Sequence, residues 1–248
     1  MQNPRALVPG PSGSPGLSDL GRVELGPRDR EWLDAVARDA GGPLPWRMRK
    51  QVEARDLLAL DEIAPPGRMR IDLIDPAEAL RVLLLLAVPV PLQPAEDGAL
   101  RLADHALLGI TYPQEALVQS LPGYAFVQLL APAGIWHPNV AFHPTQLLCL
   151  GAQLPPGIRL TELVLLAYGA LSLQTVTLDE MDPAGVLNGD AARWWQQNLD
   201  RIPLTKRAFL HPDAGSPLSP PSPWSPPGSK EFPWRSDRAG HSDREEQR

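Results

Sequence analysis

The chain has 248 residues, with 30 prolines and 20 glycines unevenly spread along it, and a formal net charge of −6. One folded domain fits that composition better than two, and an acidic balance without a clustered basic face excludes electrostatic nucleic-acid binding, which needs grouped Lys and Arg. Neither of the most apolar stretches reads as a membrane span, since residues 81–91 are too few and 160–178 include Thr161, Glu162, Ser172 and Gln174, so a soluble protein with no membrane partner is expected.

Residues 1–27 are rich in Pro, Gly and Ser without a sustained period and are expected to be disordered, because they bury too little apolar surface to offset chain entropy. Residues 27–40 place Trp32, Leu33, Val36 and Ala37 on one helical face, with Pro27 and Asp29 at the start and Gly41-Gly42 after the end, which predicts an amphipathic helix. A second helix is predicted over 47–60, with Val52, Leu57, Leu58 and Leu60 as its apolar positions and Pro65-Pro66 beyond it. The period then changes to two: residues 68–74 alternate, setting Met69, Ile71 and Leu73 on one face of a strand. Further strands are predicted over 80–90, 105–112 and 124–130, with Glu96-Asp97-Gly98 as a turn. Helical spacing returns over 160–178, where Leu163, Val164, Ala167, Ala170 and Leu171 form a stripe, and over 190–201, which carries Trp194, Trp195 and Leu199. Residues 211–248 are again Pro- and Ser-rich and expected to be disordered, with Trp224, Phe232 and Trp234 open to reading as a short docking motif or as incidental aromatics. Helices, an antiparallel meander, an irregular segment and two more helices make an α+β order.

Cys149 is the only cysteine, which rules out an internal disulfide. The N-terminal MQNPRALVPGPSG lacks the charged-then-apolar layout of a secretory signal, so a reducing cytoplasm is expected. Residues 134–151 read GIWHPNVAFHPTQLLCLG: His137-Pro138-Asn139 precedes Cys149 by ten positions, and the cysteine sits in the apolar setting Leu147-Leu148-Cys149-Leu150. That segment resembles the active-site segment of ubiquitin-conjugating enzymes, in which a His-Pro-Asn tripeptide is followed by a Cys-Leu pair. Tyr112-Pro113 and Leu121-Pro122-Gly123-Tyr124 resemble the family's approach to the tripeptide, and Asn188-Gly189-Asp190 followed by Trp194-Trp195 resembles the start of a later helix. The resemblance covers residues 47–210 and implies the ubiquitin-conjugating fold: N-terminal helices, a four-stranded antiparallel meander, the active-site segment and C-terminal helices. The domain is expected over 28–210, with the helix at 28–41 as an addition.

The resemblance further implies thioester exchange, in which Cys149 accepts a ubiquitin-like modifier from an activating enzyme and passes it to an amine on a protein substrate. No cofactor is implied. Asn139 is implied as the oxyanion donor or the brace of the active-site loop, and His137 as a structural member of the turn. An acid or serine that orients the incoming lysine in many members aligns with Gly185, which leaves Asp182 as the candidate. Arg47, Arg49 and Lys50 on the second helix are candidate contacts for the activating enzyme, against the alternative of a solvated helix face. Similarity to bacterial members implies a small conjugation operon, several of which serve defence against phage. Lysine occurs only at Lys50, Lys206 and Lys230; codon usage in a GC-rich genome accounts for that, and a carrier of an amine-reactive thioester would also gain from it.

Other readings of the same residues stand beside this one. A cysteine among leucines is commonly a small buried hydrophobe. His105, His137, His143 and Cys149 fit no common zinc spacing, so no metal is expected. A cysteine hydrolase using Cys149 with His137 or His143 lacks a local nucleophile signature. A catalytically inactive binding or scaffold module would keep the same fold.

Overall fold

A computed structural model of the chain describes residues 17–95, 98–142, 144–175, 177–179, 182, 185–201 and 208–210. Two helices, α1 (Pro27–Asp39) and α2 (Leu44–Ile63), precede five strands: β1 (Met69–Asp75), β2 (Leu80–Leu92), β3 (Arg101–Tyr112), β4 (Val127–Ala131) and β5 (Leu147–Leu148). Helices α3 (Leu160–Leu171) and α4 (Gly189–Gln197) follow. The strands form one antiparallel sheet in sequence order, a meander with no crossover. The class is therefore α+β. Among the described residues no helix is long and apolar enough to cross a membrane. The expected turn at Glu96-Asp97, residues 1–16 and the tail 211–248 lie outside the described residues.

Five strands replace the expected four, because Leu147–Leu148, read as part of an irregular segment, pairs with Val127 and Gln128 of β4. The expected face of β1 also changes. Met69 pairs with Leu86 and Ile71 with Leu84, but a register shift follows Ile71, so Leu73 opposes Leu83 and Ile74 opposes Val82. Ile74, not Leu73, then packs on the core cluster, as one extra residue in a bulge must turn every later side chain over. Strand β2 runs past its expected end at Val90 to Leu92, with Pro89 inside a second register shift, between Ala87 and Val90, where a ladder donor is not needed.

Helix α2 corrects a second expectation. Its buried residues include Trp46, Lys50, Glu53, Ala54, Leu57 and Leu58, spaced three and four apart, so the inward stripe contains a lysine and a glutamate. Val52 therefore faces outward, exposed with Leu44 and Met48 at i, i−4 and i−8. Glu53 is held inward by what it bonds: its carboxylate accepts the Leu160 N–H (2.7 Å) that opens α3 and pairs with Arg49 (2.7 Å). Burial raises its pKa, and the Leu160 N–H and Arg49 oppose that rise. An acid from one helix thus satisfies the first donor of another.

The N-terminal segment is ordered earlier than expected. Leu17–Arg22 forms a 3-10 turn, and Leu20 and Leu25 belong to the core cluster. Arg55 of α2 donates to the carbonyls of Leu20 (3.0 Å) and Gly21 (2.9 Å). Two leucines in a stretch without proline bury enough surface to fix the turn. At the other end, α3 stops at Leu171 rather than 178, because Leu173 adopts φ 61° and the chain folds back through Leu173 N–H to Ala170 O and Gln174 N–H to Gly169 O. Helix α4 ends at Gln197, leaving Leu199 exposed instead of packed.

Candidate active site

The segment between β4 and α3 is positioned from both sides. Trp136 N–H donates to Pro91 O at the end of β2 (2.8 Å) and Gln93 N–H to Gly134 O (2.9 Å). Gln146 uses its whole amide: Oε1 accepts from Gly134 and Ile135 N–H (2.8 and 3.2 Å), and Nε2 donates to Leu129 and Pro132 O (both 3.0 Å). It is buried, at φ 42°. Gln146 is not among the residues that the motif singles out; its signal in the sequence is a lone amide directly before an apolar pair.

Beyond the His-Pro-Asn turn the chain forms a short antiparallel ribbon. Cys149 N–H donates to Asn139 O and Ala141 N–H to Leu147 O (both 2.8 Å), flanking the paired residues Val140 and Leu148. Val140 and Leu148 are wholly buried in the core. Asn139, the third residue of the turn closed by Val140 N–H to His137 O (3.1 Å), is thereby joined to Cys149 through a single backbone hydrogen bond. Ten residues of separation collapse to one backbone contact.

His137 is 0% exposed. Its Nδ1 accepts the Asn139 N–H (3.1 Å), so the proton sits on Nε2, which donates to Ala170 O of α3 (2.9 Å). Burial pushes its pKa down to about 4, with the Ala170 contact opposing. The ring is neutral and structural: it closes the turn and ties it to α3.

Asn139 is 6% exposed. Its Nδ2 donates to Gly185 O (2.9 Å), while its buried Oδ1 has no hydrogen-bond partner among the described residues. The loop before α4 is bound to the same turn, since Pro138 O accepts from Leu187 and Asn188 N–H (2.8 and 3.0 Å). Asn188 then caps α4 by accepting from Ala191 N–H (3.0 Å). Asp182 belongs to this loop: its N–H donates to Asp179 O (3.0 Å) and its O accepts from Gly185 N–H (3.3 Å) and Val186 N–H (3.2 Å). The backbone thus carries Asp182 to within a turn of Asn139. A Cβ at Gly185 would meet Thr177 Oγ1 at 2.9 Å, so a side chain there requires the threonine to shift.

Cys149 is 2% exposed, with Sγ 3.5 Å from Gly151 O. Gly151, two residues after Cys149, is approached closely by the segment that follows Leu121. Gly123 N–H donates to Gly151 O (3.0 Å), and a Cβ at Gly123 would lie 2.3 Å from that oxygen and 2.6 Å from Gly151 N. Both contacts are with backbone, so nothing can rotate away. Gly123→Ala is expected to cost about 2–3 kcal/mol in chemical denaturation and to speed alkylation of Cys149 in the native protein. Unchanged stability and unchanged thiol reactivity would show that this close approach is not what covers the cysteine.

The three basic residues expected on one surface separate. Lys50 is fully buried, its Nζ donating to the carbonyls of Gly41 (3.0 Å), Pro76 (2.6 Å) and Ala77 (2.7 Å), and it cannot contact a partner. Arg49 is turned inward to Glu53, Gly157 O (3.1 Å) and the Tyr112 hydroxyl (3.4 Å). Arg47 alone is exposed, on the outer face with Leu44, Met48 and Val52. His105 is on β3 opposite Ala87, His143 lies outside the described residues, and among the described residues no group of three or more His, Cys, Asp or Glu side chains is placed to hold a metal ion. No family model, curated protein or solved structure matches the chain.

Proposed function

We propose that the chain is a ubiquitin-like-protein conjugating enzyme with the ubiquitin-conjugating fold. The observation that carries this reading is the backbone pairing of Cys149 with Asn139, the third residue of the His-Pro-Asn turn. The Cys149 thiolate attacks the thioester carbonyl that joins the modifier's C-terminus to an activating enzyme; a new C–S bond forms, the old one breaks, and the activating enzyme leaves as a thiolate. An amine of a protein substrate then takes the modifier from Cys149. Asp182, on the loop bound to the turn, is the candidate to orient that amine. The outer face of α2, with Arg47 beside Leu44, Met48 and Val52, is the candidate docking surface for the activating enzyme. A cytoplasmic bacterial conjugation system, with a role against phage, is the setting this reading favours.

One observation favours a second reading, a catalytically inactive module of the same fold that holds a modifier or scaffolds a complex: Cys149 and Asn139 are only 2% and 6% exposed. Incubation with a cognate activating enzyme, its modifier and ATP separates the two. An adduct released by thiol and missing from Cys149→Ala supports the enzyme; binding of the modifier without any adduct supports the scaffold.

A further inference from the structure

Side-chain amines are scarce on this chain. Of its 23 Lys and Arg residues only Lys50, Lys206 and Lys230 are lysines. An arginine carries the same charge, but its guanidinium stays protonated and has no lone pair with which to open a thioester. Lys50 is the only lysine among the described residues, and the fold takes its amine out of use. It is 0% exposed, and its Nζ donates to the carbonyls of Gly41 (3.0 Å), Pro76 (2.6 Å) and Ala77 (2.7 Å). An ammonium has three N–H donors, and here each has a carbonyl to meet. A neutral Lys50 would be no better placed, because its lone pair would face one of those oxygens and no thioester carbon could approach the nitrogen. Full burial is the exception for lysine, which stays in solvent unless such partners hold it.

We propose that Lys206 and Lys230 are the sites at which this chain modifies itself, and that the knot around Lys50 withholds the remaining lysine from the chain's own thioester. The inference rests on the conjugating-enzyme reading and names the acceptors within the chain, which that reading leaves open. In the transfer, the amine nitrogen of Lys206 or Lys230 attacks the carbonyl held on Cys149. A C–N bond forms, the C–S bond breaks, and the bonding pair leaves on Sγ. The proton lost by the amine ends on the sulfur, directly or through solvent. The product is an isopeptide, which thiol does not cleave, so it is separable from the thioester that precedes it. Both acceptors lie outside the described residues, and they are reached by elimination: arginine cannot react, and Lys50 is enclosed. A carrier built this way keeps its thioester for an external amine and loses it to itself at two positions alone.

The test follows the thioester when no acceptor is added. The full-length protein is charged with activating enzyme, modifier and ATP, the ATP is removed, and the thiol-resistant product is mapped by peptide mass spectrometry. The modifier is expected on Lys206, Lys230 or both, and on neither Lys50 nor the α-amino group. The double variant Lys206→Arg/Lys230→Arg keeps the charge and removes both amines. It is expected to charge on Cys149 as the wild type does, to form about tenfold less thiol-resistant product or lower still, and to discharge to added free lysine at the wild-type rate. Modifier on Lys50 or on the α-amino group, or an undiminished self-adduct in the double variant, would overturn the inference. So would a wild-type thioester that yields no self-adduct, or a double variant slowed equally toward free lysine, which would give the two lysines a part in the reaction instead of a place as acceptors. Failure of the wild-type protein to form any thioester would overturn the conjugating-enzyme reading itself.

Discussion

Replacing Lys50 with methionine is expected to lower the unfolding free energy by about 3 kcal/mol, read as a lower denaturant midpoint at unchanged slope. The size follows from what the ammonium joins. Gly41, after α1, and the Pro76-Ala77 turn between β1 and β2 converge on one Nζ, and Gly41 N–H also donates to Ala77 O (2.9 Å). Methionine fills the aliphatic space but leaves the Gly41 carbonyl without a donor and removes charge-assisted bonds from the other two. Burial pushes the Lys50 pKa down, and Asp75 and Glu78 counter that; the cation also lies 5.1 Å from the Trp46 ring. The knot leaves no room beside it, since a Cβ at Gly41 would lie 2.4 Å from Ala77 O. A change below about 0.5 kcal/mol would place Lys50 among ordinary surface residues.

Acid is expected to act through His137 in the opposite sense from its action on the buried carboxyls. The folded ring protonates at about 4, below the ordinary value near 6.5. Above that ordinary value both folded and unfolded states are neutral and the ring's contribution is complete. As pH falls toward 4 the unfolded chain takes up a proton that the folded ring refuses, so the contribution shrinks by about 3 kcal/mol in all. Asp61 runs the other way: burial and its acidic neighbours Asp29 and Glu62 raise it to about 7, so its protonation favours the folded state across the same range. The histidine must therefore be read by difference. The stability advantage of wild type over His137→Gln should narrow by about 3 kcal/mol between pH 6.5 and pH 4, and the ring's proton resonances should remain those of neutral imidazole until close to pH 4. A constant advantage, or a ring that titrates near 6.5, would contradict the buried Nε2–H tautomer.

Periodicity made the order of helices and strands legible because most positions obey one rule each: apolar residues every three to four positions for α1 and α3, and alternation or continuous apolar runs for the sheet. It failed where a polar side chain is satisfied inside. Lys50 and Glu53 carry their charges into the core of α2 because Gly41, Pro76, Ala77 and Leu160 supply partners from distant segments, and no local pattern reveals a partner 26 or 107 residues away. Val52, apolar and in period, consequently faces out rather than in. A bulge has a similar effect on β1: one extra residue near Asp72 moves Leu73 off the core and Ile74 onto it. At the candidate site, the residue types were legible as a motif, whereas the backbone hydrogen bond between Asn139 and Cys149 depends on Gln146 turning the chain back. The burial of Asn139 Oδ1 without a hydrogen-bond partner among the described residues belongs to tertiary structure alone.

The central claim is that Cys149 carries a modifier as a thioester, and the most direct measurement is intact mass after reaction with activating enzyme, modifier and ATP, for the wild-type protein and Cys149→Ser. The wild-type chain should gain one modifier less one water and lose it to neutral thiol. The serine variant should gain the same mass as an oxyester that resists thiol and yields to hydroxide. A wild-type adduct that survives thiol, and forms equally on Cys149→Ser, would contradict the account.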